Sequence, residues 1–148
     1  KLKIAGQGDF ESLGHKIDEL PENIEFVGYA DFETRKELLK KAKCLILPST
    51  YFEPFGNVVL EAYLSGTPVI TTDVGNFTEI VYNGMTGFRC STFSEFVTAM
   101  DSIDKLDNKF IYEYALKDFN YDVVAEKYAS YFKFISSVIH GKGFYDVD

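Results

Sequence analysis

With 148 residues, 46% of them hydrophobic, the chain is long enough for one well-cored domain and too short for two of ordinary size. A formal charge of -8 and a pI near 4.8, with no stretch that interleaves Lys or Arg with aromatics, exclude polymeric nucleic acid as a partner. A nucleotide stays open, because one phosphate cluster is held by local N–H groups and one or two cations rather than by net charge.

The first expected element is an apolar strand, Leu2–Ala5, followed by Gly6-Gln7-Gly8. Because the chain starts inside such an element and without Met, it reads as a piece of a larger protein. A helix is expected over Phe10–Leu20, a strand over Ile24–Val27 closed by Gly28-Tyr29, and a helix over Phe32–Lys41. Next come a strand at Cys44–Leu47 ending in Pro48-Ser49, a helix at Asn57–Ser65, and a strand at Val69–Thr71 that runs into Thr72-Asp73-Val74-Gly75. A short helix at Thr78–Tyr82 and a strand at Gly87–Cys90 complete the alternation. Short apolar strands separated by amphipathic helices predict an α/β fold, a Rossmann-like parallel sheet with helices on both faces.

From there the pattern is helical: Phe93–Ile103, Asn108–Lys117, and Asp122 to about Ile139. In the last, Val123, Val124, Lys127, Tyr128, Tyr131, Phe132 and Ile135 repeat at three- and four-residue spacings, a stripe whose aromatics are expected to pack. Gly141-Lys142-Gly143 and the acidic tail are expected to fray.

Cys44 and Cys90 lie among apolar residues, as free core cysteines do, which favours a reducing compartment. With His15 and His140 they offer no metal-ligand spacing, so no metal site is expected. No apolar run approaches the ~18 residues of a membrane span, and no signal peptide opens the chain. A soluble domain in the cytoplasm is the expectation.

The most informative run is Glu53-Pro54-Phe55-Gly56-Asn57-Val58-Val59-Leu60-Glu61, two glutamates framing a loop and a helix start. An apolar strand that crosses a short loop into a helix near Gly56 puts a helix N-terminus at the carboxyl edge of the sheet. Open α/β sheets bind ligands at that edge, and the free N–H groups of a first turn favour a phosphate. Glu53 in the loop and Glu61 on the second turn, on the face of Asn57, can reach one ligand, and carboxylates beside an anion site suit hydroxyl-rich groups. Alone, either glutamate reads equally as a solvated helix-surface charge. Gly6-Gln7-Gly8, with Glu25 near the place of a ribose-binding acid, is a partial dinucleotide fingerprint. Glu11 stands where its third small residue belongs, so the turn reads either as a tight bend or as a loop that also faces a ligand.

The strand ending in Pro48-Ser49, then Glu53, Phe55-Gly56, Glu61-Ala62 and Ser65-Gly66-Thr67-Pro68-Val69-Ile70, resembles the donor-binding C-terminal domain of retaining GT-B glycosyltransferases, family 4, also called group 1. The likeness runs from Leu2 to Phe88, and the helical remainder shares it through Tyr121-Asp122-Val123-Val124-Ala125-Glu126-Lys127-Tyr128. The resemblance implies one half of a GT-B fold that binds a nucleoside-diphosphate sugar, with no cofactor and no metal. It implies that Glu53 faces the donor sugar near its anomeric centre and that Glu61 accepts hydrogen bonds from the ribose hydroxyls. The N–H groups of Phe55, Gly56, Asn57 and Val58 would contact the diphosphate or sugar hydroxyls, and Gly6 and Gly8 would line the same edge. Gly28 and Tyr29 would meet the base. Glu79 matches a family acid of more structural character. Reading Glu53 as a covalent nucleophile, by analogy with paired-carboxylate glycosidases, is the weaker alternative.

The family usually supplies an Arg and a Lys upstream of the glycine turn, and Lys1 and Lys3 do not replace them convincingly. The acceptor, a sugar or a lipid-linked glycan, would bind an N-terminal domain absent from this chain, through which the protein would also sit peripherally at a membrane. Three residues, Thr50-Tyr51-Phe52, separate Ser49 from Glu53, where many members have two. A GT-B epimerase or phosphorylase, a non-catalytic nucleotide-binding or interaction module and, more remotely, a NAD-dependent dehydrogenase are the rival readings.

Overall fold

The computed structural model describes residues 1–8, 10, 11, 14, 16–141 and 143. Five strands form, all parallel: β1 (Leu2–Ala5), β2 (Ile24–Gly28), β3 (Leu45–Leu47), β4 (Val69–Thr72) and β5 (Gly87–Cys90). Between and after them lie α1 (Phe32–Lys41), α2 (Asn57–Tyr63), α3 (Phe77–Ile80), α4 (Phe93–Ser102), α5 (Asn108–Phe119) and α6 (Tyr121–His140). The expected parallel α/β architecture with C-terminal helices is present.

The strands fall into two sets, β1 with β2 and β3-β4-β5 with β4 central. Among the described residues nothing pairs with the outer edge of β1 or of β3.

The core is built around β4, whose successive residues face opposite sides. Val69 packs with Leu39, Val59, Ala62, Tyr63, Phe77, Ile80, Val81, Ile111 and Ala115 on one side, and Ile70 packs with Cys90, Ala99 and Ile103 on the other. Val69 and Ile70 are fully buried, as a strand covered on both faces should be. Truncating Ile70 to Ala would cost about 2–5 kcal/mol.

Local chemistry sets the helix starts. The Asp31 side chain accepts the Thr34 N–H at 2.8 Å at the head of α1. Thr92 and Glu95 form a reciprocal capping box at α4, and Asp107 and Asn120 cap α5 and α6.

Two expectations change. The Phe10–Leu20 helix does not form as one element: its described part holds a 3-10 turn at Ile17–Glu19, preceded by Lys16 in an extended conformation that breaks any helix there. Other residues of that segment, among them His15, lie outside the described set, as does most of the tail after Gly141. Among the described residues the aromatic stripe of α6 is not buried either, although the Tyr128 and Tyr131 rings lie 6.0 and 6.1 Å from that of Phe132. No α6 residue is buried, and Tyr128, Tyr131, Phe132 and Phe134 are exposed; the main packing partner of α6 among the described elements is α5. Among the described helices none is long and apolar enough to cross a membrane.

Candidate functional site

Parallel strands present their carboxyl ends together, so the loops after β1, β2, β3 and β4 hold the candidate residues. The first two are tied by the Gly6 N–H, which donates to the Gly28 carbonyl at 2.9 Å. A side-chain carbon added at Gly6, Gly8 or Gly28 would meet no described atom within 4 Å, so both turns lie in open space. Tyr29 follows, 66% exposed.

Glu53 sits in the β3–α2 loop and is held from three sides. Its Oε1 accepts the Gly56 N–H at 3.0 Å, its Oε2 accepts the Tyr51 hydroxyl, and its carbonyl accepts the Asn76 N–H at 2.9 Å. Donating to that carboxylate pushes the Tyr51 phenol up from its ordinary pKa. The Asn76 side chain also reaches the Phe55 carbonyl at 2.7 Å, and Thr72 Oγ1 reaches the Ser49 carbonyl at 2.6 Å, so the loop after β4 braces the loop after β3.

Gly56 is left-handed, φ 78 and ψ 56, at the head of α2, a conformation that costs a side-chain-bearing residue about 1–2 kcal/mol. The main chain turns there directly onto the buried Phe77 ring, 3.0 Å from where a Cβ would lie. One detail differs from the sequence expectation: the Gly56 N–H is already donated to Glu53. The first-turn groups that intrahelical geometry leaves without a partner are those of Asn57 and Val58.

Glu61, half-buried on the second turn of α2, is gripped by Arg35 of α1. Arg35 Nε donates to Oε2 at 2.9 Å and Nη2 to Oε1 at 3.0 Å, a two-pronged pair, while Nη1 donates to the Ala30 carbonyl at 2.9 Å. The structure thus joins the turn holding Gly28 and Tyr29 to Glu61 through one side chain, and Asn76 joins Glu53 through its main-chain N–H and Phe55 through its side chain, while Gly56 is tied to the Glu53 carboxylate. Glu79 is exposed on α3, where its N–H donates to the Asn76 carbonyl at 3.0 Å.

The dinucleotide reading loses its acid. Glu25 is the second residue of β2, at the end away from the carboxyl edge, and its carboxylate is taken by Lys1 at 2.6 Å and Lys3 at 3.3 Å. Those partners hold it below the usual carboxylate range. The same contacts engage both Lys1 and Lys3. Among the described residues no three His, Cys, Asp or Glu side chains come together to hold a metal. A cleft of about 430 Å³ between Lys3 and the α1 residues Glu33, Thr34, Glu37, Leu38 and Lys41 contains none of the predicted residues. We place no ligand there, because the predicted polar groups converge at the strand ends instead.

Sequence reading missed Arg35, Tyr51, Gly75 and Asn76. Composition held one signal: of fifteen basic residues only Arg35 and Arg89 are arginine. A planar five-donor fork is the side chain for a two-pronged grip on a carboxylate.

A half-sheet of this topology, with a carboxylate-framed loop and a glycine-opened helix at its carboxyl edge, defines a Rossmann-like domain of the GT-B type. The chain belongs to the family described as Glycosyl transferases group 1, which matches residues 1–104. It is 47% identical over 95 residues to a glycogen synthase of Mycobacterium tuberculosis, covering 61% of this chain and 22% of that protein. To an uncharacterized glycosyltransferase of Methanocaldococcus jannaschii it is 40% identical over 91 residues, 59% of this chain and 23% of the other. An uncharacterized 42.6 kDa protein in the cps region of Klebsiella pneumoniae is 31% identical over 142 residues, 90% of this chain and 33% of its own. The chain therefore spans a third or less of the length of these relatives. Among solved structures, Anabaena HepE in complex with UDP and glucose superposes with a TM-score of 0.71 at 22% identity, over 88% of this chain and 40% of that one. AviGT4, a glycosyltransferase involved in Avilamycin A biosynthesis, gives 0.71 at 24% identity, over 90% and 43%. At that identity these two show the shared fold.

Proposed function

We propose that this chain is the donor-binding domain of a retaining glycosyltransferase, which holds a nucleoside-diphosphate sugar while a further domain presents the acceptor hydroxyl. The observation that carries the reading is the pair of immobilised carboxylates, Glu53 and Glu61, on either side of the α2 start at the carboxyl edge. A carboxylate accepts two short, charge-assisted hydrogen bonds from a diol, which suits Glu61 to ribose and Glu53 to the sugar. Tyr29 and the Gly28 turn meet the base, and the N–H groups of Asn57 and Val58 meet the diphosphate or sugar hydroxyls. UDP and glucose in a structural relative, and glycosyl transfer in the names of sequence relatives, support the choice of ligand.

In such a transfer, negative charge grows on the β-phosphate as the glycosidic bond breaks. N–H dipoles and cations aimed there stabilise the transition state more than the ground state. Removing one such donor costs on the order of 10²–10³ in rate. With Lys1 and Lys3 engaged by Glu25, this chain brings no free lysine of that segment to the phosphate, so catalysis by it alone is expected to be poor. Its free cysteines suit the cytoplasm, and a peripheral membrane position and a sugar or lipid-linked acceptor belong to the further domain.

The test is calorimetric titration with UDP, GDP and ADP and their glucose conjugates, with and without magnesium. Selective binding of one nucleotide, indifferent to magnesium and weakened in Glu61→Ala, is the expected result. A folded protein that binds none of them, even at full length, overturns the proposal.

A further inference from the structure

We propose that Arg35 is a positioning residue for nucleoside recognition, holding the Glu61 carboxylate and the Ala30 carbonyl in one fixed geometry so that a single side chain sets the ribose and base subsites together. The inference rests on the reading of Glu61 as the ribose acceptor.

The guanidinium spends three donors here: Nε and Nη2 on the two carboxylate oxygens and Nη1 on the Ala30 carbonyl, all at 2.9–3.0 Å. A planar fork that meets both oxygens fixes the plane of the carboxylate, which a lysine ammonium, a point charge on a flexible stem, does not. An ionised carboxylate has about four lone-pair positions, and the fork takes two. The two left over are what a vicinal diol needs, and they are held in place before any ligand arrives.

Charge points the same way. An unpaired Glu61 would repel a diphosphate bound to the same nucleoside, whereas a carboxylate neutralised by Arg35 keeps its capacity to accept from neutral hydroxyls. The third contact reaches the turn that carries Tyr29, so displacement of Arg35 disturbs the two subsites at once. Both partners are half-buried, at 33% and 27% side-chain exposure, leaving the pair accessible from the edge where a ligand would approach.

The experiment titrates the full-length protein with UDP, GDP and ADP and their 2′-deoxy counterparts, comparing wild type with Arg35→Met, Arg35→Lys, Glu61→Gln and the Arg35→Met/Glu61→Gln double variant. Wild type is expected to prefer the ribonucleotide by about 10-fold or more, the scale of a hydrogen bond to a charged group. In Arg35→Met that preference should fall to within about twofold, Arg35→Lys should not restore it, and the double variant should bind no worse than Glu61→Gln alone. If Arg35→Met proves unfolded by circular dichroism, Arg35→Lys, which retains charge and length, carries the comparison. A folded Arg35 variant that keeps the wild-type preference while Glu61→Gln loses it overturns this inference and spares the ribose reading. A wild type that binds no nucleotide, or binds both sugars alike, removes the two together.

Discussion

Gly75 lies against the main chain of Glu53: a side-chain carbon at Gly75 would stand 2.6 Å from the Glu53 nitrogen and 2.7 Å from its carbonyl oxygen. Neither partner atom belongs to a flexible side chain, so the contact cannot be relieved by a rotamer change. With φ at +60, Gly75 also occupies backbone that costs other residues about 1–2 kcal/mol. Gly75→Ala is therefore expected to lower stability by at least that much and to displace the loop that carries Glu53. Thermal unfolding reports the first effect and sugar-nucleotide titration the second. An unchanged melting temperature with unchanged affinity would show that the two loops are not coupled.

The two glutamates are expected to separate in their effects. Glu61→Ala should weaken binding of the bare nucleoside diphosphate by roughly 10–100-fold, the loss of hydrogen bonds to a charged acceptor. Glu53→Ala should leave that affinity nearly intact and reduce the extra affinity contributed by the sugar. Comparing a diphosphate with its glucose conjugate on wild type and both variants gives the six numbers required. Identical affinities across wild type and both variants would remove the site.

Tyr63 predicts a pH effect. Its hydroxyl lies 3.0 Å from Thr86 Oγ1 and 3.2 Å from the Ile80 carbonyl, and burial drives its pKa well above the ordinary tyrosine value. A pKa raised by folding contributes stability in full below the unfolded value, about 10, and loses it as pH rises toward the folded value. Stability is thus expected to decline above about pH 10. Tyr63→Phe should cost about 1 kcal/mol at neutral pH through the lost hydrogen bond and should flatten the alkaline decline. Because burial raises Tyr114 in the same direction, the flattening should be partial. Urea titrations of both proteins at pH 7 and above pH 10 measure the gap, which should narrow with pH.

The frame of this domain is legible in its sequence because apolar periodicity and turn residues are local signals. All five strands lie within a residue of their expected ends, β3 by leaving out Cys44, and the helix Phe32–Lys41 matches its expected span. The Phe10–Leu20 helix failed for a local reason too, the extended Lys16, which periodicity does not weigh. What sequence could not disclose were long-range partners. Arg35 meets Glu61 across 26 residues, and as a basic residue on a charged helix it looks like any solvated side chain. Asn76 reads as turn chemistry until its contacts with Glu53 and Phe55 are seen. Tyr51, two residues from its partner Glu53, was within reach, since a phenol beside a carboxylate in a short loop invites a hydrogen bond.

Among the described residues the outer edges of β1 and β3 are unpaired, which carries a consequence for how this polypeptide behaves in a tube. Each presents a row of unused amide and carbonyl groups that any extended apolar segment, including one from a neighbouring molecule, can template upon. Self-association that grows with concentration is the expected behaviour of the 148-residue chain on its own, visible as a rising scattering mass before any loss of secondary structure.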